Sequence, residues 1–386
     1  MRSIRSLSVV LLIFIQLIQT GCWNNRDLAQ LSIATGIGID RTGEGRILLT
    51  IQIAKPSSIV GQGKGGGAGE KKAVSNVAQE GDTVFEALRA ILKETNNRIF
   101  LSAAQIIIVG EDIARNGISD VLDFFERDHE TQYKTEIVIA KGITAKELLE
   151  VDSMTSDIPA SYIAETVKNN DERAKTAKTM LIDISRIMGM TGKQLIVGTV
   201  GKNGKRTVDT EGSAVFNTDK LAGWLSQEET RGYLFAAGKV KSTVITIPNP
   251  ASQQKKVSVE IIRSGSKLGV EWENGKPVFT IKIKTEGNFG DQQNGGGLTA
   301  KESLEECERL LKQQIMQEVE SMMKISQKEY KSDILGFGEM IHRYHSGYWK
   351  GAEQNWREIY SRAPLKLDVE VKIRRSGLIT RPAESK

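Results

Sequence analysis

A few groups of residues in this 386-residue chain could carry chemistry, and spacing decides among them. His342 and His345 stand three apart, so both imidazoles could share one helical face and supply part of a zinc site. Such a site needs three or four ligands with orienting partners, and the remaining histidine, His129, lies more than two hundred residues earlier. No bound metal is expected. The run Glu126-Arg127-Asp128-His129-Glu130 gathers groups from which a general base could be drawn. Acid/base chemistry, however, needs groups facing a substrate with tuned protonation, and consecutive charges specify no such separation. A salt-linked helix end, with Arg127 facing carboxylates, is the plainer expectation. No Gly-x-Ser-x-Gly elbow is present to support acyl transfer. The segment Gly61 to Gly69 is rich in glycine, but a phosphate-binding loop requires Gly-Lys followed by Ser or Thr and a helix start, whereas Lys71 is followed by Lys72. An exposed flexible loop fits that composition. The chain is therefore expected not to be an enzyme, with no catalytic residue and no cofactor.

Cys22 is the exception, because its neighbours specify a reaction. Arg2 and Arg5, the apolar stretch Leu7 to Ile15 and the polar segment Gln16 to Gly21 have the three-part form of an export signal. The apolar part falls short of the about 20 residues a bilayer span requires. Ile18-Gln19-Thr20-Gly21-Cys22 is similar to the lipobox of bacterial lipoproteins, in which the cysteine sulfur receives a diacylglyceryl group and becomes the first residue of the mature chain. Gln19 departs from that pattern, which usually has Leu there; the alternative is a free cysteine after ordinary cleavage. Two acyl chains give a durable tether, since each buried methylene contributes roughly 0.8 kcal/mol and one chain binds only reversibly. Trp23, next to the tether, could lie at headgroup level or pack against the first domain.

The rest of the chain, with 39% hydrophobic and 26% charged residues overall, suits a soluble body of two or three domains. Residues 1–21 hold two arginines and no acids, so their removal lowers the formal charge from +5 to +3. That excess is dispersed, which speaks against a nucleic-acid surface. Cys307 is the second of two cysteines; with Cys22 acylated no internal disulfide can form, and its place on an apolar helical face suits a buried small hydrophobe.

Hydrophobic periodicity then gives the elements that must position these groups. Ile33–Ile39 and Ile47–Ile53 read as strands around a glycine-containing turn. Asp82 is placed to cap a helix reaching Glu94, and apolar residues from Ile113 to Phe125 recur at helical spacing. Gln105–Val109 and Thr135–Ala140 are short strands, and Thr144-Ala145-Lys146-Glu147 has capping-box spacing. Leu195–Val200 and Thr207–Phe216 flank Asn203-Gly204 as a hairpin. Further on, Ser242–Ile247, Lys256–Ile262 and Val278–Lys284 alternate as half-buried antiparallel strands, and residues 287–298 read as a loop. Thr299 to Glu302 repeats the capping spacing ahead of a long helix through residue 324, which would cover a sheet extended by Leu367–Ile373. The fold class expected is α+β: a multidomain lipoprotein with a mixed α/β N-terminal region and a C-terminal antiparallel sheet packed by a long helix. Domain bounds are placed at 1–21 for the signal, 22–220 for the N-terminal region, in one or two subdomains, and 221–386 for the sheet-and-helix domain.

Tyr344, Tyr348, Trp349 and Trp356 form an aromatic cluster suited to core packing or to a partner surface, and with Trp23 they are the candidate interface residues. Several segments together carry a family resemblance: Gly21-Cys22-Trp23-Asn24-Asn25-Arg26-Asp27-Leu28, Thr35-Gly36-Ile37-Gly38-Ile39-Asp40, Gly212-Ser213-Ala214-Val215-Phe216, Asp219 to Leu225, Glu228-Glu229-Thr230-Arg231-Gly232 and Phe337-Gly338. With these the chain resembles the GerAC/GerBC/GerKC-type C subunit of nutrient germinant receptors of spore-forming bacteria. The resemblance implies a non-catalytic lipoprotein on the outer surface of the spore inner membrane, partnered by A-type and B-type integral membrane subunits and by membrane lipid through its anchor. It leaves open whether this subunit itself captures a small germinant in a cleft between its domains. Gln105 stands where many relatives have His.

Overall fold

The structure, a computed structural model, describes residues 31–55, 73–95, 98–152, 155–204, 207–250, 252–293 and 301–374. Cys22, Trp23, the glycine-rich segment 61–69 and the capping residue Thr299 lie outside them.

The first half is a ten-stranded sheet between helices. β1 (Leu31–Arg41) and β2 (Ile47–Ala54) form the expected antiparallel pair, closed by a turn with Gly45 at φ +83°, and β3 (Val74–Gly81) follows on β2. On its other side β1 runs parallel to β5 (Ile106–Val109), then β6 (Glu136–Ala140) and β7 (Ile196–Asn203) continue in parallel. β9 (Ser213–Asn217) and β10 (Lys220–Leu225) complete that edge in antiparallel sense. Two short strands lie off this path, β4 (Arg98–Phe100) on β1 and β8 (Thr207–Asp209) on β7.

β5 and β6 are buried on both faces, hence the apolar runs Ile106–Val109 and Ile137–Ala140. Helices α1 (Val84–Glu94), α2 (Glu111–Asn116), α3 (Ser119–Arg127) and α6 (Leu181–Met188) cover one face. α4 (Ala145–Leu148) and α5 (Pro159–Glu172) cover the other.

Three local expectations change. The cap of α1 is Thr83, not Asp82: its hydroxyl accepts the Glu86 N–H at 3.1 Å, while the Glu86 carboxylate reaches back to the Asp82 N–H at 2.7 Å. The apolar spacing from Ile113 to Phe125 belongs to two helices, since Gly117, at φ +131°, breaks the rod without disturbing the buried stripe. Thr207–Phe216 likewise divides at Gly212, at φ +99°, into β8 and β9.

The second half is a four-stranded sheet ordered β11 (Thr243–Asn249), β12 (Ser252–Glu273), β13 (Lys276–Gln292), β14 (Leu365–Ile373). The first three are antiparallel, and β14 enters parallel to β13. Asn274-Gly275, both at positive φ, make the tight turn of the long β12–β13 hairpin. The expected loop at 287–298 begins later, because Gly287 to Gln292 continue β13 in register with β12 and Phe289 packs on the core; ladder pairing outweighs the Gly/Asn/Gln composition there.

α7 (Gln227–Ala236) and the long α8 (Lys301–Lys324), extended by a π-helical turn Ile325–Tyr330, lie on the inner face with α9 (Phe337–Tyr344), α10 (Ser346–Ala352) and α11 (Trp356–Arg362). This second core takes in Ala174, Ala177, Ile196, Val215 and Leu225 from the first half, so apolar packing is continuous from one sheet to the other.

Candidate functional site

The segments singled out above occupy the places where backbone elements meet. In Thr35 to Asp40, Gly36 and Gly38 lie under the opposite helix layer: a Cβ on Gly36 would strike Ala160 of α5, and one on Gly38 would press on Ala145 and Leu149 at 3.2 Å. Asp40 is buried, and its two oxygens accept the N–H groups of Ala145 (2.8 Å) and Lys146 (2.9 Å). It thereby satisfies amides at the start of α4 from 105 residues away, beside the local capping box of Thr144 and Glu147. Burial pushes the Asp40 carboxyl up from its ordinary range and the two amides pull it back in part.

The later segments build the packing inside the second half and its junction with the first. Gly223 forms a bed for the Tyr330 ring, whose hydroxyl accepts the Trp224 N–H at 3.0 Å and donates to the Trp224 carbonyl at 2.9 Å. Gly232 brings α7 against the backbone of α8 at Glu318, where a Cβ would not fit. Beside it Arg231 grips Glu318 with two nitrogens, Nε lying 2.8 Å from Oε2, and Gln314 adds a third bond to that carboxylate at 2.9 Å. Both members of the pair are buried, which suits the planar two-point geometry of arginine and carboxylate. Gly338 meets Gly192 of the first half so closely that neither tolerates a Cβ, and the Glu339 N–H donates to the Gly192 carbonyl at 2.9 Å.

Asp333 organises this end of the junction. Its fully buried carboxylate accepts the N–H groups of Gly336 (2.7 Å), Phe337 (3.1 Å) and Gly338 (2.7 Å) and the Trp356 indole N–H (3.2 Å). Desolvation nonetheless pushes its pKa up to about 6. Trp356 and Trp349 are buried with ring centroids 5.3 Å apart, and Phe337 stacks on Phe279 at 4.1 Å. Tyr348 is half-buried against Trp272, while Tyr344 is 71% exposed. The four aromatic candidates are thus divided: two tryptophans inside, one tyrosine at the edge and one outside.

His342 lies beside Trp349 and Glu339, and His345 packs edge-on to Trp272. Among the described residues no group of three or more His, Cys, Asp or Glu side chains is arranged to hold a metal ion. Cys307 is buried, and desolvation pushes its thiol up to about 11.

Residues 127–130 of the charged run face an open groove of about 850 Å³ between α1 and α3, walled also by Phe85, Arg89, Leu92, Arg98 and Phe124. Here the run spreads over separate partners. Arg127 holds Asp123 rather than an acid of the run, Glu130 pairs with Arg98, and Glu126 accepts the Ser185 hydroxyl at 2.7 Å. That is a salt-linked helix end, without two carboxylates opposed across the groove. Sequence reasoning missed the groove because Phe85, Arg89 and Arg98 come from another helix and strand.

It also missed Glu136 at the start of β6, buried, with Oε1 meeting no hydrogen-bond donor among the described residues. Burial pushes its pKa up to about 7, with Lys178 opposing and Asp171 assisting. No described helix is long and apolar enough to cross a membrane.

Comparison with known proteins gives concordant results. A family model described as the spore germination protein N-terminal domain matches residues 24–202, and one described as spore germination B3/GerAC like, C-terminal, matches 211–377. Spore germination protein KC of Bacillus subtilis (strain 168) is 26% identical over 398 residues, covering 98% of this chain and 97% of the relative. Spore germination protein B3 of the same organism is 27% identical over 371 residues, covering 95% and 96%. A crystal structure of the GerBC protein superposes with a TM-score of 0.56 at 25% identity, covering 90% of this chain and 99% of that one.

Proposed function

Because the chain belongs to the spore germination B3/GerAC-like family, we propose that it is the lipid-tethered, non-catalytic C subunit of a nutrient germinant receptor. The observation that carries the reading is the order and extent of the match: both family models in sequence, and relatives named for spore germination aligned nearly end to end. The use made of the family-like residues supports it. Gly36, Asp40, Gly232, Arg231 and Gly338 hold elements together and leave no reactive group facing a cleft.

In this reading the diacylglyceryl group on Cys22 holds the body at the outer surface of the spore inner membrane. Confinement beside A-type and B-type membrane subunits raises its effective concentration there without requiring a strong contact surface. The subunit supports assembly and signalling, and the nutrient is contacted mainly elsewhere. The domain plan keeps residues 1–21 as signal, 22–220 as the N-terminal region and 221–386 as the C-terminal domain. Among the described aromatic candidates, Tyr344 and Tyr348 have side-chain surface left for a partner.

Replacing Cys22 by Ala tests the tether. The variant is expected in the soluble fraction of disrupted spores, with the nutrient response reduced at least tenfold in rate, a change equal to about 1.4 kcal/mol in apparent coupling. Unchanged membrane retention together with an unchanged response contradicts it.

A further inference from the structure

The chain enters its described fold at the edge of the groove between α1 and α3. Leu31 opens β1 opposite Arg98 of β4, and Ser32 lies opposite Ile99; Arg98 and Ile99 are also walls of that groove. Only nine peptide steps separate Cys22 from Leu31. At no more than about 3.4 Å per residue, that tether spans at most roughly 31 Å. A body held this way presents the region around Leu31 to the bilayer more readily than its far sheet.

The surface near this entry has the composition of a membrane interface. Phe85 on α1 is 51% exposed, Tyr133 after α3 is 52% exposed and Ile182 on α6 is 45% exposed. These belong to one layer: Phe85 meets Phe124 of α3 at 6.0 Å, Tyr133 donates its hydroxyl to the Glu126 carbonyl at 3.1 Å, and the Ile182 N–H donates to the Tyr133 carbonyl at 3.0 Å. Arg89 lies over the Phe85 ring at 4.9 Å, and Arg98 and Arg127 stand along the same groove. Aromatic rings beside long cationic side chains suit the headgroup region, where the ring enters the acyl boundary and the guanidinium stays with phosphate. Asp123, Asp128 and Glu130 lie among these arginines, so the local charge is nearly balanced and the face would hold a bilayer weakly on its own. The second sheet also exposes two apolar side chains, Val244 and Ile262, but no large aromatic ring among the described residues, and its outer side carries ion pairs such as Lys284 with Glu370 (2.7 Å) and Lys366 with Glu271 (2.9 Å).

We infer that the outer side of α1, α3 and α6, with Phe85, Tyr133 and Ile182 leading, is the face laid against phospholipid headgroups. The inference rests on the Cys22 tether and adds the orientation of the tethered body. Weak affinity suffices, because the tether keeps the face at the surface; the contact would limit rotation and fix which side meets the membrane subunits.

The test uses the full lipidated chain on phosphatidylcholine–phosphatidylglycerol vesicles containing doxyl-labelled lipid. A fluorophore is attached through Phe85→Cys, Tyr133→Cys or Lys284→Cys, one at a time; Cys307 is buried and does not compete. Quenching at positions 85 and 133 is expected to exceed that at 284 several-fold. Equal quenching at all three, with the protein retained on the vesicles, overturns this inference alone. Release of the protein from the vesicles overturns the tether and the inference with it. If labels at 85 and 133 stay unquenched on lipid but become shielded when membrane subunits are added, the face docks protein and the inference is wrong.

Discussion

Arg231 and Arg127 both hold a carboxylate at hydrogen-bonding distance, but in different surroundings. The Arg231–Glu318 pair is sealed between α7 and α8, beside a glycine on which no Cβ fits; Arg127–Asp123 stands on one turn of α3 with both side chains largely in water. Burial removes the solvent that would replace a lost partner. The inner pair therefore locks α7 to α8 inside the second half, whereas the outer pair is available to other contacts at little cost. Much the same side-chain chemistry makes a fixed centre and an adaptable rim.

Removing one partner at a time should break this contrast most visibly. Glu318→Ala leaves the Arg231 charge buried and uncompensated, and should lower stability by about 3–5 kcal/mol, read as a fall in urea midpoint. A loss under about 1 kcal/mol would mean that water reaches Arg231 and that the α7–α8 contact is not sealed.

Glu136 sharpens the comparison as a buried acid without an arginine. Its pKa is raised from 4.5 to about 7, so the folded protein holds this proton more tightly than the unfolded chain does. The resulting stabilisation is complete below about pH 4.5 and is lost as pH rises through about 7, a swing of roughly 3 kcal/mol. Glu136→Gln should remove that component, so its stability relative to the parent protein should climb between pH 5 and pH 8 in urea titrations. A constant difference would place Glu136 in contact with solvent. Reading the difference also cancels the contribution of Asp333, which titrates in an overlapping range.

The outer pair gives the smallest effect. Asp123→Ala should leave the thermal unfolding midpoint almost unchanged, and the small effect that remains should fade further in salt. A fall as large as that of Glu318→Ala would show that α3 depends on its exposed ion pair.

Short-range features were legible in the sequence where the relevant partner is close by. The strands β5 and β6 appear through the apolar runs Ile106–Val109 and Ile137–Ala140, and Thr144 with Glu147 announces the start of α4 three residues apart. Gly117 was not legible as a break, since the buried spacing carries across it. Segment 287–292 read as loop because its strand character comes from pairing with β12.

The same limit governs the site. Gly232 and Gly338 look like ordinary glycines until the backbones of Glu318 and Gly192 are brought against them. Asp40 carries no local sign that it serves amides at Ala145 and Lys146. The aromatic cluster was visible as composition, but Asp333 and Gly338, which hold Trp356 inside with Trp349 packed on it, were not. The charged run 126–130 was visible as a cluster; the groove it faces required α1 and β4.

The central claim is that a rigid, non-catalytic body works beside membrane subunits. Affinity purification of the tagged native chain from detergent-solubilised spore inner membranes tests it most directly. Two integral membrane subunits are expected to co-purify in fixed ratio without added nutrient, and to be lost with Cys22→Ala. Recovery of the chain alone, together with saturable heat on titrating it with a germinant, would contradict the claim and assign it direct capture instead.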